Sequence, residues 1–306
     1  MQSNAKSVVI TGASSGIGHA SVLRMSEAGW HVFASVRKAL DQERLRTIPR
    51  VVPILMDVED RASITAAAER IASEVHGLDG LVNVAGIGML RPIEYASEED
   101  IRQIFDINLF GQIAVTQVFL PLLRKNRGRI VNITSVGAHI AIPFGALLNA
   151  SKSAFGIISD NLRLELRSFG IRVSTIEPGA IATPAVHKTL GNMDSMIESL
   201  PAEARARYGE MLKQVAQRGY EREMNGSNPG VVAVAVRHAL TAARPRIRYR
   251  VGKDAKLIAT LAKVLPDSLL DVVRLKALGL PTAFGNTQEE MRPTQRSQKQ
   301  IEPLRG

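Results

Sequence analysis

Residues 8–18 read Val8-Val9-Ile10-Thr11-Gly12-Ala13-Ser14-Ser15-Gly16-Ile17-Gly18. A short β-branched run breaks into a glycine-punctuated turn and then into a stretch with helical spacing. A strand that ends this way delivers the chain to the carboxyl edge of a sheet. Gly12 permits a tight turn, and Gly16 and Gly18 let backbone approach a pyrophosphate at a helix N-terminus, where unpaired N–H groups and the helix dipole attract anions. The spacing is Thr-Gly-x-x-x-Gly-x-Gly, shorter than the usual dinucleotide fingerprint, and a glycine cluster alone is equally an ordinary loop. The strand before it and the helix after it favour a phosphate cradle.

Outward from this stretch the chain alternates strand and helix. Apolar β-rich runs fall at 7–11, 31–35, 51–56, 80–84, 129–134, 172–177 and 248–252, with helical spacing between them. Ser97-Glu98-Glu99-Asp100 has the form of a capping box, opening a helix through Ile101, Ile104 and Phe105 that continues to Lys125. The pattern predicts a doubly wound, mostly parallel α/β sheet of about seven strands, of Rossmann type, in one domain over 1–284. The polar tail at 285–306 is expected to be a frayed basic extension.

Composition excludes some chemistry. With no cysteine in 306 residues, disulfides, thiolate nucleophiles and cysteine-bound metals are impossible, and no metal site is expected. No basic-then-apolar leader precedes the first strand and no uninterrupted apolar run nears bilayer length, so a cytoplasmic protein is expected. From Arg244 onward 13 Lys and Arg face six Asp and Glu, which accounts for most of the +10 net charge. That end has few aromatic residues and no nucleic-acid motif, so a solvated basic face is expected and nucleic-acid binding is not.

Thr11 to Gly18, Asp57-Val58, Asn83-Val84-Ala85-Gly86, Asn108, Ser135, Ala150-Ser151-Lys152 and Pro178-Gly179 follow one another in an order that resembles the short-chain dehydrogenase/reductase family. The likeness extends over about 7–252 and is strongest to the branch of hydroxysteroid and retinol dehydrogenases, in the style of Val32 to Lys38 and in the long C-terminal segment around Arg248 to Gly252. The resemblance implies an NAD(P)-dependent oxidoreductase. It also implies a phosphate cradle of Thr11, Gly12, Ser14, Ser15, Gly16, Ile17 and Gly18, with Asp57 and Val58 beside the adenine. Asn83, Ala85 and Gly86 would wall the adenosine ribose, and beyond Pro178 and Gly179, themselves expected beside the cofactor, Ile181 and Thr183 would hold the nicotinamide carboxamide. Val84 stands where the family has a second asparagine, losing a side-chain bond and leaving its backbone available. Asp57 is equally a helix cap, and Thr183 equally a surface hydroxyl.

Cofactor choice turns on the end of the second strand. NAD sites place an acid there for the ribose 2′-hydroxyl, whereas cations accommodate a 2′-phosphate. Here Arg37 and Lys38 follow Val36, with no acid before Asp41. A solvated pair at a helix start is the ordinary alternative, but two cations favour NADP(H) over NAD(H).

The resemblance breaks again in the active-site strip. The family carries a tyrosine four residues before its active-site lysine, on the same helix face; here that position is Leu148, with Lys152 in register behind it. Ser135 and Pro143 also stand in register, and no tyrosine lies between Tyr95 and Tyr208. The phenol normally protonates the alkoxide formed by hydride transfer, and leucine has no proton to give. The catalytic set left is Asn108 to anchor a water relay, Ser135 to bond a substrate oxygen and Lys152 to hold the nicotinamide ribose. His139, four residues after Ser135, is the nearest imidazole in sequence, but such a residue is more often a loop or wall residue, and Asn149 points off the Leu148–Lys152 face. A water between Lys152 and Ser135 is the more economical donor.

Helices over about 184–228 are expected to cover a hydrophobic substrate, with Met193, Met196, Ile197, Leu200, Met211, Leu212 and Met224 spread through them. Plain packing explains such a stripe equally well. Over about 254–280, two amphipathic helices break at Pro266; they are expected to pack, while a second subunit or peripheral membrane contact stays open. The expected substrate is a steroid-like or retinoid-like alcohol or ketone. The rival is a non-catalytic NADP(H)-binding sensor or assembly subunit. Helices over about 97–125 and 148–169, with Leu109, Val115, Phe155, Ile158, Leu162 and Leu166, are expected to build a homodimer or homotetramer.

Overall fold

A computed structural model describes residues 5–283. The expected tail at 285–306 lies outside the described residues. Seven parallel strands, β1 (Ser7–Ile10), β2 (His31–Val36), β3 (Val51–Leu55), β4 (Gly80–Asn83), β5 (Arg129–Ile133), β6 (Arg172–Pro178) and β7 (Arg248–Val251), form one sheet in the order β3-β2-β1-β4-β5-β6-β7. Each falls within a residue of its expected bounds. The helices are α1 (Gly16–Glu27), α2 (Ala39–Arg46), α3 (Arg61–Glu74), α4 (Glu98–Phe105), α5 (Gly111–Asn126), α6 (Ala146–Glu165), α7 (Pro184–Leu190), α8 (Met193–Glu198), α9 (Ala202–Met224), α10 (Gly230–Thr241), α11 (Ala255–Val264) and α12 (Asp267–Ala277).

Alternation along the strands divides the core. Val8, Ile10, Val32 and Ala34 point to one face with Val22 of α1 and Val236 of α10, while Val9 and Phe33 point to the other with Ile64 of α3 and Phe119 of α5. Both faces are covered, as the near-continuous apolar strands require. The strand order reverses between β1 and β4, so the loops beyond their carboxyl ends part and leave a crevice.

Helices α4 and α5 form one continuous rod through a π-helical turn at Asp106–Phe110. The capping box at its start is made: Asp100 N–H donates to Ser97 Oγ at 3.0 Å, and Ser97 N–H donates to Asp100 Oδ2 at 3.3 Å. The rod Glu98–Asn126 amends one expectation, for it reaches the length and apolarity of a bilayer span. More than half of its apolar window is buried inside the protein, which marks a core helix as readily as a span. A third apolar cluster lies away from the sheet: Leu200, Leu212, Met193, Met196 and Met211 pack with Leu90, Ile142 and Phe144. Met224 stays partly exposed, and the others behave as packing residues.

Phe119 is fully buried between α3 and the sheet. Phe119→Ala is expected to cost about 3–5 kcal/mol, lowering the urea midpoint with little change in slope. Fluorescence of Trp30, the single and buried tryptophan, reads the transition.

Candidate active site

The turn after β1 is built on contacts that admit no side chain. Gly12 and Gly16 take left-handed φ values of +63° and +55°, and a Cβ on Gly18 would stand 2.1 Å from the Gly12 carbonyl oxygen. Gly12 abuts Ala85 and Gly16 abuts Thr183, so the turn touches the loops that follow β4 and β6. Helix α1 has no acid in its first turn, and its N-cap Ser15 makes no side-chain capping bond. Its positive pole is thus uncompensated, and bare backbone with an exposed Ser15 hydroxyl fits a diphosphate. Ile17 packs against the core, and the Ser14 carbonyl accepts from Arg44 Nη2 of α2 at 2.5 Å.

Thr11 and Asn83 serve the sheet. Thr11 is fully buried, and its hydroxyl accepts the Val84 and Ala85 N–H groups at 2.9 and 3.0 Å. The Val84 amide is therefore not available, contrary to the expectation from sequence. The buried Asn83 amide donates to Thr116 Oγ1 at 3.0 Å and to Asn132 Oδ1 at 2.8 Å, which ties β4 to β5 and α5. Its amide nitrogen is thus spent inside the protein, while Asn83 Oδ1 is buried with no hydrogen-bond partner among the described residues.

At the end of β2, Arg37 and Lys38 are both exposed, with Lys38 at the N-cap of α2. Arg37 is not free: Glu59 approaches it at 4.0 Å. Burial, reinforced by the charge of Asp57 and partly offset by Arg37, raises the Glu59 carboxyl above its usual range. Sequence reading missed both Glu59 and Arg44, because neither belongs to the strand-end pattern. Asp57 does not cap α3, for Asp60 does so by accepting the Ala62 N–H at 2.9 Å. Asp57 Oδ1 accepts from Glu59 N–H at 3.1 Å, and no protein hydrogen bond among the described residues reaches its other carboxylate oxygen. The Val58 side chain is buried in the core, leaving only its backbone at the crevice.

The strip opposite is carried by the π-helical turn, the loop after β5 and α6. Asn108 spends its side chain on the chain after β4: Oδ1 accepts the Ile87 N–H at 2.8 Å, while Nδ2 donates to the Ile87 carbonyl at 3.0 Å and to Ser151 Oγ at 3.2 Å. It makes no hydrogen bond to Lys152. Gly86 separates them, since a Cβ there would stand 3.1 Å from Asn108 Oδ1 and 3.2 Å from Lys152 Nζ. Lys152 has no carboxylate partner among the described residues, and its Nζ donates only to the Ile133 carbonyl, at 3.4 Å. Burial lowers its ammonium to about 8. Ser135 Oγ accepts the Gly137 N–H at 3.0 Å and keeps its own proton to donate. Leu148 lies half-buried one turn before Lys152.

His139 is committed elsewhere. Its Nε2 lies 2.7 Å from the carboxylate of Glu177, a fully buried residue at the end of β6 that also meets Arg248 and Arg250 of β7. Burial pushes the Glu177 carboxyl up, but the bonds and charges of His139 and Arg248 outweigh it and hold it below its ordinary value. His139 is thus the wall residue that the sequence favoured. Asn149 donates to the Ile140 carbonyl at 2.9 Å, off the Lys152 face.

Pro178 and Gly179 leave β6 into a loop that runs through the buried Ile181 to Thr183, the N-cap of α7, whose hydroxyl makes no capping bond. The crevice between β1 and β4 is thus bordered by the glycine turn, a lysine without a carboxylate partner among the described residues, a serine hydroxyl and a threonine hydroxyl.

The family model of short chain dehydrogenases matches residues 6–194. Human retinol dehydrogenase 5 is 36% identical over 286 residues, covering 90% of this chain and 89% of that protein. Rat 17-beta-hydroxysteroid dehydrogenase type 6 is 36% identical over 275 residues, covering 87% and 86%. The crystal structure of a short chain dehydrogenase from Burkholderia cenocepacia J2315 in complex with NADP superimposes with a TM-score of 0.67 at 27% identity, covering 90% of this chain and 99% of that one. Matched across most of its length by sequence and by fold, the chain belongs to the short-chain dehydrogenase/reductase family of NAD(P)(H)-dependent oxidoreductases.

Proposed function

We propose that this protein moves hydride between NADP(H) and a hydrophobic alcohol or ketone of steroid-like or retinoid-like character. One observation carries this most directly: Lys152 is a desolvated ammonium without a carboxylate, beside the carboxyl end of β5, where Ser135 retains a free proton. A buried cation left unpaired is costly, and the hydroxyls of a bound ribose relieve that cost. Hydride exchange at a carbon is what the cofactor supplies when bound. Gly12, Gly16 and Gly18 would bind its diphosphate, Arg37, Lys38 and Arg44 would surround a 2′-phosphate, and Ser135 would orient the carbonyl oxygen. The retinol and hydroxysteroid for which two relatives are named, and the apolar cluster under α7–α9, support a hydrophobic ligand.

With leucine at position 148, the proton must come from elsewhere. A water held between Lys152 and Ser135 would deliver it, with the ammonium as its ultimate source. The proton is available below about pH 8 and is lost as pH rises through that value.

A non-catalytic cofactor-binding role is the second reading, favoured by Leu148 itself. Assembly is proposed through α5 and α6, with one change of residues. Leu109, Val115, Phe155 and Leu166 are core, whereas Phe110 of the π-helical turn that leads into α5 and Ile157 and Leu164 of α6 are exposed and are the better contacts.

Calorimetry should show NADPH binding more tightly than NADH, with Arg37→Ala removing most of the difference; equal affinities in the unaltered protein would refute the preference. Leu148→Tyr should raise ketone reduction by about a hundredfold or more, and the unaltered enzyme's weaker rate should fall above about pH 8. An unchanged rate in that variant, with NADPH still tightly bound, would establish the non-catalytic reading. Light scattering at micromolar concentration should report a dimer or tetramer that Ile157→Glu dissociates; a monomeric unaltered protein would end the assembly proposal.

A further inference from the structure

The loop after β6 is held by two carboxylates and a serine backbone. Ala180 N–H donates to Asp254 Oδ1 at 3.1 Å, and Ile181 N–H donates to Glu223 Oε2 at 3.1 Å. The two carboxylates come from distant parts of the chain, since Glu223 ends α9 and Asp254 is the N-cap residue of α11. Arg222 joins them, with Nε 3.0 Å from Asp254 Oδ2, Nη2 bonded to the same oxygen and Nη1 3.2 Å from Glu223 Oε1. Ser227 completes the hold. Its N–H donates to the Ala180 carbonyl at 2.9 Å, and its carbonyl accepts the Ala182 N–H at 3.0 Å.

The fit is close enough to need glycine twice. A Cβ on Gly179 would stand 2.0 Å from Asp254 Oδ1, and one on Gly226 would stand 2.5 Å from the Ala180 carbonyl. Burial raises the Glu223 carboxyl despite Arg222 and the Ile181 amide, whereas at Asp254 the burial effect is overcome by Arg222 and the Ala180 amide, and that carboxyl is lowered. Two carboxylates this near repel, and the guanidinium between them makes the arrangement tolerable. The backbone of 180–182 is thereby committed, whereas among the described residues no protein hydrogen bond reaches the Thr183 hydroxyl.

We propose that Arg222, Glu223 and Asp254 are positioning residues for the nicotinamide end of the cofactor. They fix the backbone of 179–183 and tie it to α9, the helix that builds the apolar cluster. This rests on the cofactor reading above. A loop fixed before binding spares the ordering cost that a free loop would incur when the ring docks.

The test compares NADPH with adenosine 2′,5′-bisphosphate, which lacks the nicotinamide. Glu223→Ala and Asp254→Ala should each weaken NADPH by about fivefold or more, through the ordering cost the freed loop then incurs on binding, and leave the bisphosphate within about twofold. Glu223→Gln keeps an acceptor for the Ile181 N–H and should restore most of the NADPH affinity. Equal weakening of both ligands, or of neither, would overturn the proposal. Should the alanine variants fail to fold, Arg222→Met, which leaves both carboxylates in place, should show the same selective loss of NADPH, and an equal loss of both ligands there would overturn the proposal in the same way. If the unaltered protein binds neither ligand, the cofactor reading itself falls, and that is seen before any variant is made.

Discussion

The close approach of Gly18 to the Gly12 carbonyl is the contact on which the carboxyl edge of the sheet depends. It brings the N-terminus of α1 onto the end of β1, where unpaired N–H groups can face an anion. Around it, Ala85 rests on Gly12 and Thr183 on Gly16, while the Thr11 hydroxyl draws in the amides after β4. A side chain at any of these glycines would push apart loops that together frame the crevice.

Charge is distributed unevenly about that crevice. The carboxylates that bond to the segments after β5 and β6 are paired: Glu177 with His139, Arg248 and Arg250, and Asp254 and Glu223 with Arg222. Burying Glu177 completely costs desolvation that its partners offset, and the network anchors the turn after Ser135 to β7. Lys152 and Lys38, by contrast, have no carboxylate among the described residues. This asymmetry suits a site that receives phosphate and hydroxyl groups, while Glu59 near Arg37 and Asp41 beside Arg44 compete for two of the cations at the end of β2.

Much of this was legible in order along the chain. β-branched runs interrupted by helical spacing gave the strands to within a residue, and Ser97 with Asp100 marked a helix start that the structure caps on both sides. The glycine turn, Ser135 and Lys152 were legible because each chemistry depends on a residue type at a short spacing. Less legible was the difference between a motif residue that faces a ligand and one that holds the sheet. Thr11 and Asn83 are spent on partners far off in sequence, as is Asn108 on Ile87.

What the sequence by itself determined is the class of fold and the family, since these depend on local periodicity and residue identity. Only the tertiary structure decided that Val84 has no free amide, that Arg44 closes on the glycine turn and that Lys152 has no counter-charge among the described residues. It alone placed Glu223 and Asp254 behind the loop after β6. Hydrogen bonds and desolvation depend on which distant groups meet and on how much water is excluded there, and neither is encoded in spacing along one segment.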